Sequence, residues 1–298
     1  MSTDEENNVN AKVEISEIST ECIADIKKLD KFYTRPEISI ICLTNIEKMY
    51  EWSLWDLIVE PSAGNGSFLK NIPSSKKIGI DILPEDESIV KKDFFEYTPS
   101  PSISKNILVV GNPPFGRVCS LAIKFFNHAS EWASVIAFIV PRTFRRISVQ
   151  NKLDMNFHLV FDEDIPLKPC AFTPPMMAKC CFQIWERRVE SRCVIRLPTT
   201  HSDWDFLELG PRDERGQPTV PTTADFVVRA YGHSCGEIKA RELDLLRPKS
   251  WHWIKANICK DLLVDRLRSL DYSISLNTAR QNSIGRAELV KLYTEKYN

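Results

Sequence analysis

Ile107-Leu108-Val109-Val110-Gly111-Asn112-Pro113-Pro114-Phe115 is the stretch on which the fold of this chain turns. Its first half carries no polar side chain and reads as a strand covered on both faces, as in a parallel sheet. The two prolines then stop the strand in a stiff turn. That turn fixes the Asn112 amide, the Pro113 carbonyl and the Phe115 ring at the mouth of a sheet. Two acceptors there, the Asn112 Oδ1 and the Pro113 oxygen, can take the two hydrogens of an exocyclic amine. The Phe115 ring can stack on the base that carries the amine.

Outward from this strand, the pattern predicts others at Leu54–Glu60, Lys77–Asp81, Ile89–Lys91, Val135–Val140, Phe157–Phe161 and Ala178–Trp185. Helical segments alternate with them, Ile38–Met49 before the first strand and Leu121–Trp132 after the proline turn. Alternating strands and helices across residues 50–190 predict an open, doubly wound α/β sheet.

The first strand leaves through Glu60-Pro61-Ser62-Ala63-Gly64-Asn65-Gly66-Ser67-Phe68-Leu69. Two glycines permit positive φ or close approach to a ligand. Leu69 breaks the Gly-x-Gly-x-x-Gly dinucleotide pattern, and no Gly-Lys-Ser/Thr follows, so neither nicotinamide nor P-loop chemistry is indicated. Asp81 ends the next strand, where an acidic residue accepts from a ribose diol in doubly wound sheets. Asp93-Phe94-Phe95 follows the third strand. A carboxylate there can accept from an adenine amine while one ring, Phe94 by preference, covers the base. Thr34 and Glu37 have capping-box spacing around Pro36, predicting a helix start whose positive end suits a carboxylate.

The 298 residues include 43% hydrophobic and 27% charged residues, an ordinary globular balance with a formal net charge of -1. Any case for a polyanionic partner must therefore be local. The nine cysteines form no Cys-x-x-Cys pair, so they read as reduced core thiols, with no metal site expected. No apolar run reaches the ~20 residues that span a bilayer, and the acidic start, Met1-Ser2-Thr3-Asp4-Glu5-Glu6, is unlike a secretory leader. An intracellular protein, cytoplasmic or nuclear, is the expectation.

Residues 1–20 read as a flexible acidic arm, with a short helix at Ile23–Leu29. Residues 21–197 read as the main domain, 198–223 as a linker or mobile loop, and 224–298 as a small C-terminal extension. In that extension Asp225–Ala230 and Trp251–Ile254 read as strands, with Trp251 and Trp253 in a core and His252 facing outward. Lys260–Leu270 reads as an amphipathic helix, and Ser283 as the cap of a last helix. Pro141-Arg142-Thr143-Phe144-Arg145-Arg146 leaves the fifth strand at the ligand edge. Its arginines can grip phosphates while Phe144 stacks on a base.

In this order of motifs the chain resembles the class I S-adenosylmethionine-dependent N6-adenine methyltransferases, in the branch whose cofactor motifs precede the catalytic one. The resemblance spans roughly residues 30–190. It implies a Rossmann-like fold with an open, seven-stranded, mostly parallel sheet and helices on both faces. It implies S-adenosyl-L-methionine, converted to S-adenosyl-L-homocysteine, bound by Tyr33, Thr34, Glu60, Pro61, Ala63, Gly64, Gly66, Asp81, Ile82, Asp93, Phe94 and Asn112. Catalysis is implied at Asn112, Pro113, Pro114 and Phe115, without a metal. Phe172 resembles a second aromatic contact to the flipped base, beside Phe115, Arg142, Phe144, Arg145 and Arg146. DNA is the implied substrate. RNA is the nearest alternative, followed by a protein glutamine and by a catalytically silent nucleic-acid-binding subunit. A monomer or homodimer, with a specificity partner because the recognition region is small, completes the expectation.

Overall fold

The computed structural model describes residues 31–297 other than 101, 103 and 104, so the arm and the helix expected before Lys31 lie outside the described residues. The elements are β1 (Tyr33–Thr34), α1 (Pro36–Glu47), β2 (Leu57–Pro61), β3 (Lys77–Asp81), β4 (Ile89–Lys91), β5 (Ile107–Gly111), α2 (Ser120–Ala129), β6 (Val135–Pro141), α3 (Ile147–Gln150), β7 (Phe157–Asp164), β8 (Phe172–Thr173), β9 (Cys180–Arg187), β10 (Trp204–Phe206), β11 (Phe226–Arg229), β12 (Ile238–Lys239), β13 (Trp251–Ala256), α4 (Lys260–Arg268) and α5 (Arg286–Tyr297).

Seven strands form one sheet in the order β4-β3-β2-β5-β6-β9-β7. All neighbours from β4 to β6 are parallel, and β9 alone runs against both of its neighbours. This is an open, Rossmann-like, mostly parallel sheet with helices on both faces. The pleat explains why the central strands are apolar throughout. Val59, Val109, Ile136 and Phe138 point to one face, against Ala122, Phe125 and Phe126 of α2. Their sequence neighbours Ile58, Leu108, Val110 and Ala137 point to the other, against Ile38, Cys42 and Ile46 of α1. The strand order reverses between β2 and β5, which opens a crevice at their carboxyl ends.

Three local expectations are corrected. Thr34 does not cap α1: it sits in β1, paired with Phe172 of β8, and Arg35 takes the N-cap position without a side-chain cap. Long-range pairing has overridden the capping-box spacing. Residues 198–223 are more than a linker, because Trp204–Phe206 pair with β13. The C-terminal extension has a core of its own. Its sheet, β10-β13-β11-β12, packs one face on α4 and α5 through Trp204, Phe226, Ile254, Leu263 and Leu289. Trp251 and Trp253 cover the other face with Val227. His252 does not face solvent freely: its Nε2 contacts the Ile284 carbonyl at 2.8 Å, and burial lowers its pKa.

Arg146 fastens this module to the main sheet. Its guanidinium donates to the carbonyls of Asn277 at 2.7 Å and Ser283 at 2.6 Å and pairs with Glu288 at 3.2 Å. Lys179 adds a backbone bond to Ala279 at 2.7 Å and a side-chain bond to Asn282 at 2.8 Å. Removing the cation strands a mostly buried carboxylate and two carbonyls. Arg146→Ala is expected to cost roughly 3 kcal/mol, read as an earlier urea midpoint. An unchanged midpoint would mean that other contacts hold the modules together.

Candidate active site

A cavity of about 520 Å³ opens at the carboxyl ends of β2, β3 and β5. Its walls come from the loops after these strands, from Lys31–Tyr33 and from α2. Of the residues expected at a cofactor, Tyr33, Gly64, Asp81, Ile82, Asp93, Phe94 and Asn112 line it. Phe95, the other ring of the pair, lines it as well, as do Lys31, Phe32, Ser62, Lys92, Arg117, Leu121 and Phe125, which were not foreseen. The signal for Ser62 was its place in the turn; Lys31 and Phe32 stand beside Tyr33, but only the fold brings them to the strand ends.

The turn after β2 is held from below. Glu60 is buried and accepts from the backbone N–H groups of Phe68 at 3.2 Å and Leu69 at 2.6 Å. It does not line the cavity, and neither do Pro61, Ala63, Gly66 and Thr34. They shape the loop and its floor. Ser62 and Gly64 both have φ of 55°, and Asp81 accepts from the Gly64 N–H at 2.8 Å and the Leu83 N–H at 2.7 Å. The Asp81 carboxylate is thereby fixed at the cavity wall, with lone pairs to spare for further donors.

Burial pushes the Glu60 carboxyl up to about 8, against the two N–H groups that favour its charged form. The ordinary value in the unfolded chain is 4.5, so between 4.5 and about 8 the native state binds the extra proton. Stability therefore falls as pH rises through that window. Melting temperatures are expected to decline across it, and Glu60→Gln is expected to flatten the decline. A variant with the wild-type slope would assign the dependence elsewhere.

Asp93 uses one oxygen on the Phe95 N–H at 2.9 Å, and the carboxylate is exposed at the cavity edge. Phe94 lines the cavity, but its ring is locked in the core, stacked on Phe125 at 5.1 Å and edge-on to His128 and Trp132. The exposed ring of the pair is that of Phe95, 40% accessible. His128 is structural, contacting the Tyr97 carbonyl at 2.9 Å.

Asn112 stands where this cavity meets a smaller crevice of about 10 Å³ bounded by Phe32, Pro113, Pro114, Phe115 and Met176. Its Nδ2 donates to the Phe32 carbonyl at 3.0 Å, and its Oδ1 is buried without a partner. A carbonyl can only be met by the amide nitrogen, so Phe32 decides which way the amide faces. The result is an orphaned acceptor where the two spaces join. A buried acceptor left unmet is costly, and it awaits a donor.

The other substrate residues are not brought to the crevice. Phe144 and Phe172 are buried at 1% exposure and cannot stack on a base. Arg142 pairs with Asp164 at 2.7 Å, Arg145 with Asp162 at 2.6 Å and Asp164 at 2.7 Å, and Arg146 with Glu288. The expected three-arginine phosphate grip is thus corrected: acidic residues of β7 and α5 neutralise it. Among the described residues, no group of His, Cys, Asp and Glu is placed to hold a metal, and no helix is long and apolar enough to cross a membrane.

No family profile and no curated protein sequence matches the chain. Solved structures do resemble it distantly. A candidate RNA methyltransferase from Pyrococcus horikoshii is 14% identical, covering 54% of this chain and 89% of its own, with a TM-score of 0.39. Magnesium protoporphyrin IX methyltransferase from Synechocystis PCC 6803 is 8% identical over 56% of this chain and 82% of its own, at 0.35. An S-adenosylmethionine-dependent methyltransferase from Leishmania major is 11% identical over 56% and 75%, at 0.34. Likenesses this loose carry no argument about substrate or cofactor.

Proposed function

We propose that this chain transfers a methyl group from S-adenosyl-L-methionine to the exocyclic N6 amine of an adenine in DNA, with the base drawn out of its stack. The observation that carries this reading is the buried, unpartnered Asn112 Oδ1 at the junction of a cofactor-sized cavity and a crevice beside Phe115. The cavity suits the cofactor in chemistry. A fixed carboxylate at Asp81 fits a ribose diol, and Asp93 with the Phe95 ring fits an adenine edge and face. Gly64 packs so close to the Tyr33 ring on the cavity wall that a Cβ there would displace it. When bound, the sulfonium supplies an electrophilic methyl group.

The residues of this chain supply the rest. An adenine N6 lone pair is delocalised into the ring and is a weak nucleophile. The Asn112 Oδ1 and the Pro113 carbonyl each accept one amine hydrogen, which favours a tetrahedral nitrogen with its lone pair free. The N–C bond forms as the C–S bond breaks, and the cationic product amine then loses a proton to water. Pre-placed dipoles and alignment account for the rate enhancement. Phe115 supports the ring, and the flexible Met176 side chain moves aside to admit it.

The test is a parallel assay of DNA, RNA and glutamine-containing peptide with labelled methyl donor, followed by mass spectrometry of digested nucleosides. N6-methyladenine in DNA supports the reading. Label found only in RNA or only in peptide replaces the substrate, and cofactor binding with no transfer to any of them leaves a silent subunit.

A further inference from the structure

We infer that the strand carrying the target base leaves the Asn112 crevice unpaired and crosses the seam between the two modules along Arg117, Lys179, Arg280 and Tyr231. This rests on the nucleic-acid reading above and adds the path and the form of the substrate. The four residues lie on segments that are hydrogen-bonded to one another in turn. Arg117 leaves the proline turn and lines the cavity mouth. Cys119, two residues on, hydrogen-bonds Thr143, and the adjoining Arg142 N–H donates to the Lys179 carbonyl at 3.0 Å. The Lys179 N–H reaches Ala279, next to Arg280, and the Gly232 N–H, next to Tyr231, donates to the Asn282 carbonyl at 3.0 Å.

The charges along this path are unlike the neutralised arginines beside it. Arg117 and Arg280 are exposed and make no ion pair among the described residues. Among the described residues, Lys179 has only the neutral Asn282 amide as its side-chain partner. Burial, then the neighbouring guanidinium groups of Arg142 and Arg146, hold its ammonium below the ordinary lysine range. On a chain with a formal net charge of -1, such a strip is local by construction. Apolar side chains stand at both ends. Val118 follows Arg117 of the cavity wall and Met177 follows Met176 of the crevice wall, at 77% and 61% exposure, and Tyr231, bridged to Ser283, is 50% exposed. Spaced cations with exposed apolar side chains at either end, an aromatic ring among them, suit an unstacked single strand, whose bases offer flat faces beside phosphates.

Fluorescence anisotropy with labelled adenine-containing oligonucleotides, single-stranded and duplex, tests the path on the full chain. The single strand is expected to bind more tightly than the duplex. Arg280→Glu is expected to weaken single-strand binding about tenfold and reduce the salt slope by roughly 1. Tyr231→Ala is expected to weaken it several-fold with the slope unchanged. Both positions are exposed, so cofactor affinity should stay at the wild-type value. Wild-type binding by both variants, or preference for the duplex, overturns the path. If such variants accompany Asn112-dependent methylation of an oligonucleotide, the seam fails and the active-site reading stands. If the wild type binds no nucleic acid and methylates none, both fall.

Discussion

Asn112→Ala is expected to lower the methyl-transfer rate about a thousandfold while cofactor affinity changes only a few-fold. The residue donates to Phe32 and offers an orphaned Oδ1 to the crevice, and alanine removes both at a position that is only half buried. The lost acceptor acts on the amine as it becomes tetrahedral, so the effect belongs in kcat more than in KM. Single-turnover transfer and calorimetric titration with S-adenosyl-L-homocysteine separate the two. Asn112→Asp sharpens the test. A carboxylate turns an acceptor toward the Phe32 carbonyl, and only its protonated form can restore the donor. Activity of that variant is expected to recover toward acid pH, where wild type gains nothing. A variant at this position with wild-type transfer would remove the basis of the proposed chemistry.

Gly64→Val is expected to abolish measurable cofactor binding. At φ +55° a Cβ would meet the Tyr33 ring at 2.6 and 3.0 Å. A β-branched residue in that backbone region adds a steric cost of its own, roughly 1–2 kcal/mol. Tyr33 cannot simply swing away, because its hydroxyl bonds Glu85 and its backbone pairs with Thr173. The clash therefore falls on the cavity itself, between the wall at Tyr33 and the Asp81 carboxylate bonded to the Gly64 N–H. The far ends of the sheet should be untouched, so a single cooperative melt lowered by several degrees, with lost titration heat well below it, is the expected pair of results. Retained affinity would place the cofactor elsewhere.

Much of the sheet was legible because its strands are short apolar runs ended by turn chemistry. Ile107–Gly111 and Lys77–Asp81 lie within the predicted bounds, while β7 runs on to Asp164 because its outer half is polar and gives no periodic signal. The C-terminal sheet was harder to see. Trp204–Phe206 lie in a Pro-, Asp- and Thr-rich segment, and only pairing with Ile254–Ala256 makes them a strand. Within the site, Asn112, Asp81, Asp93 and Gly64 were readable as strand-end residues. Phe32 was not, since its part is played by a backbone carbonyl, which carries no sequence signature.

By itself, the sequence determined the apolar strands, the glycine turn and the proline-stiffened corner, because each depends on neighbours a few residues away. Only the tertiary structure decided which charges are available. Arg142 and Arg145 meet Asp164 and Asp162 because the end of β6 and the end of β7 both pair with the start of β9, and Arg146 meets Glu288 across the module boundary. It likewise decided that the Asn112 amide spends its nitrogen on the Phe32 carbonyl and leaves its oxygen without a partner. Ion pairing and amide orientation depend on groups far apart along the chain, and those meet only once the sheet has closed over them.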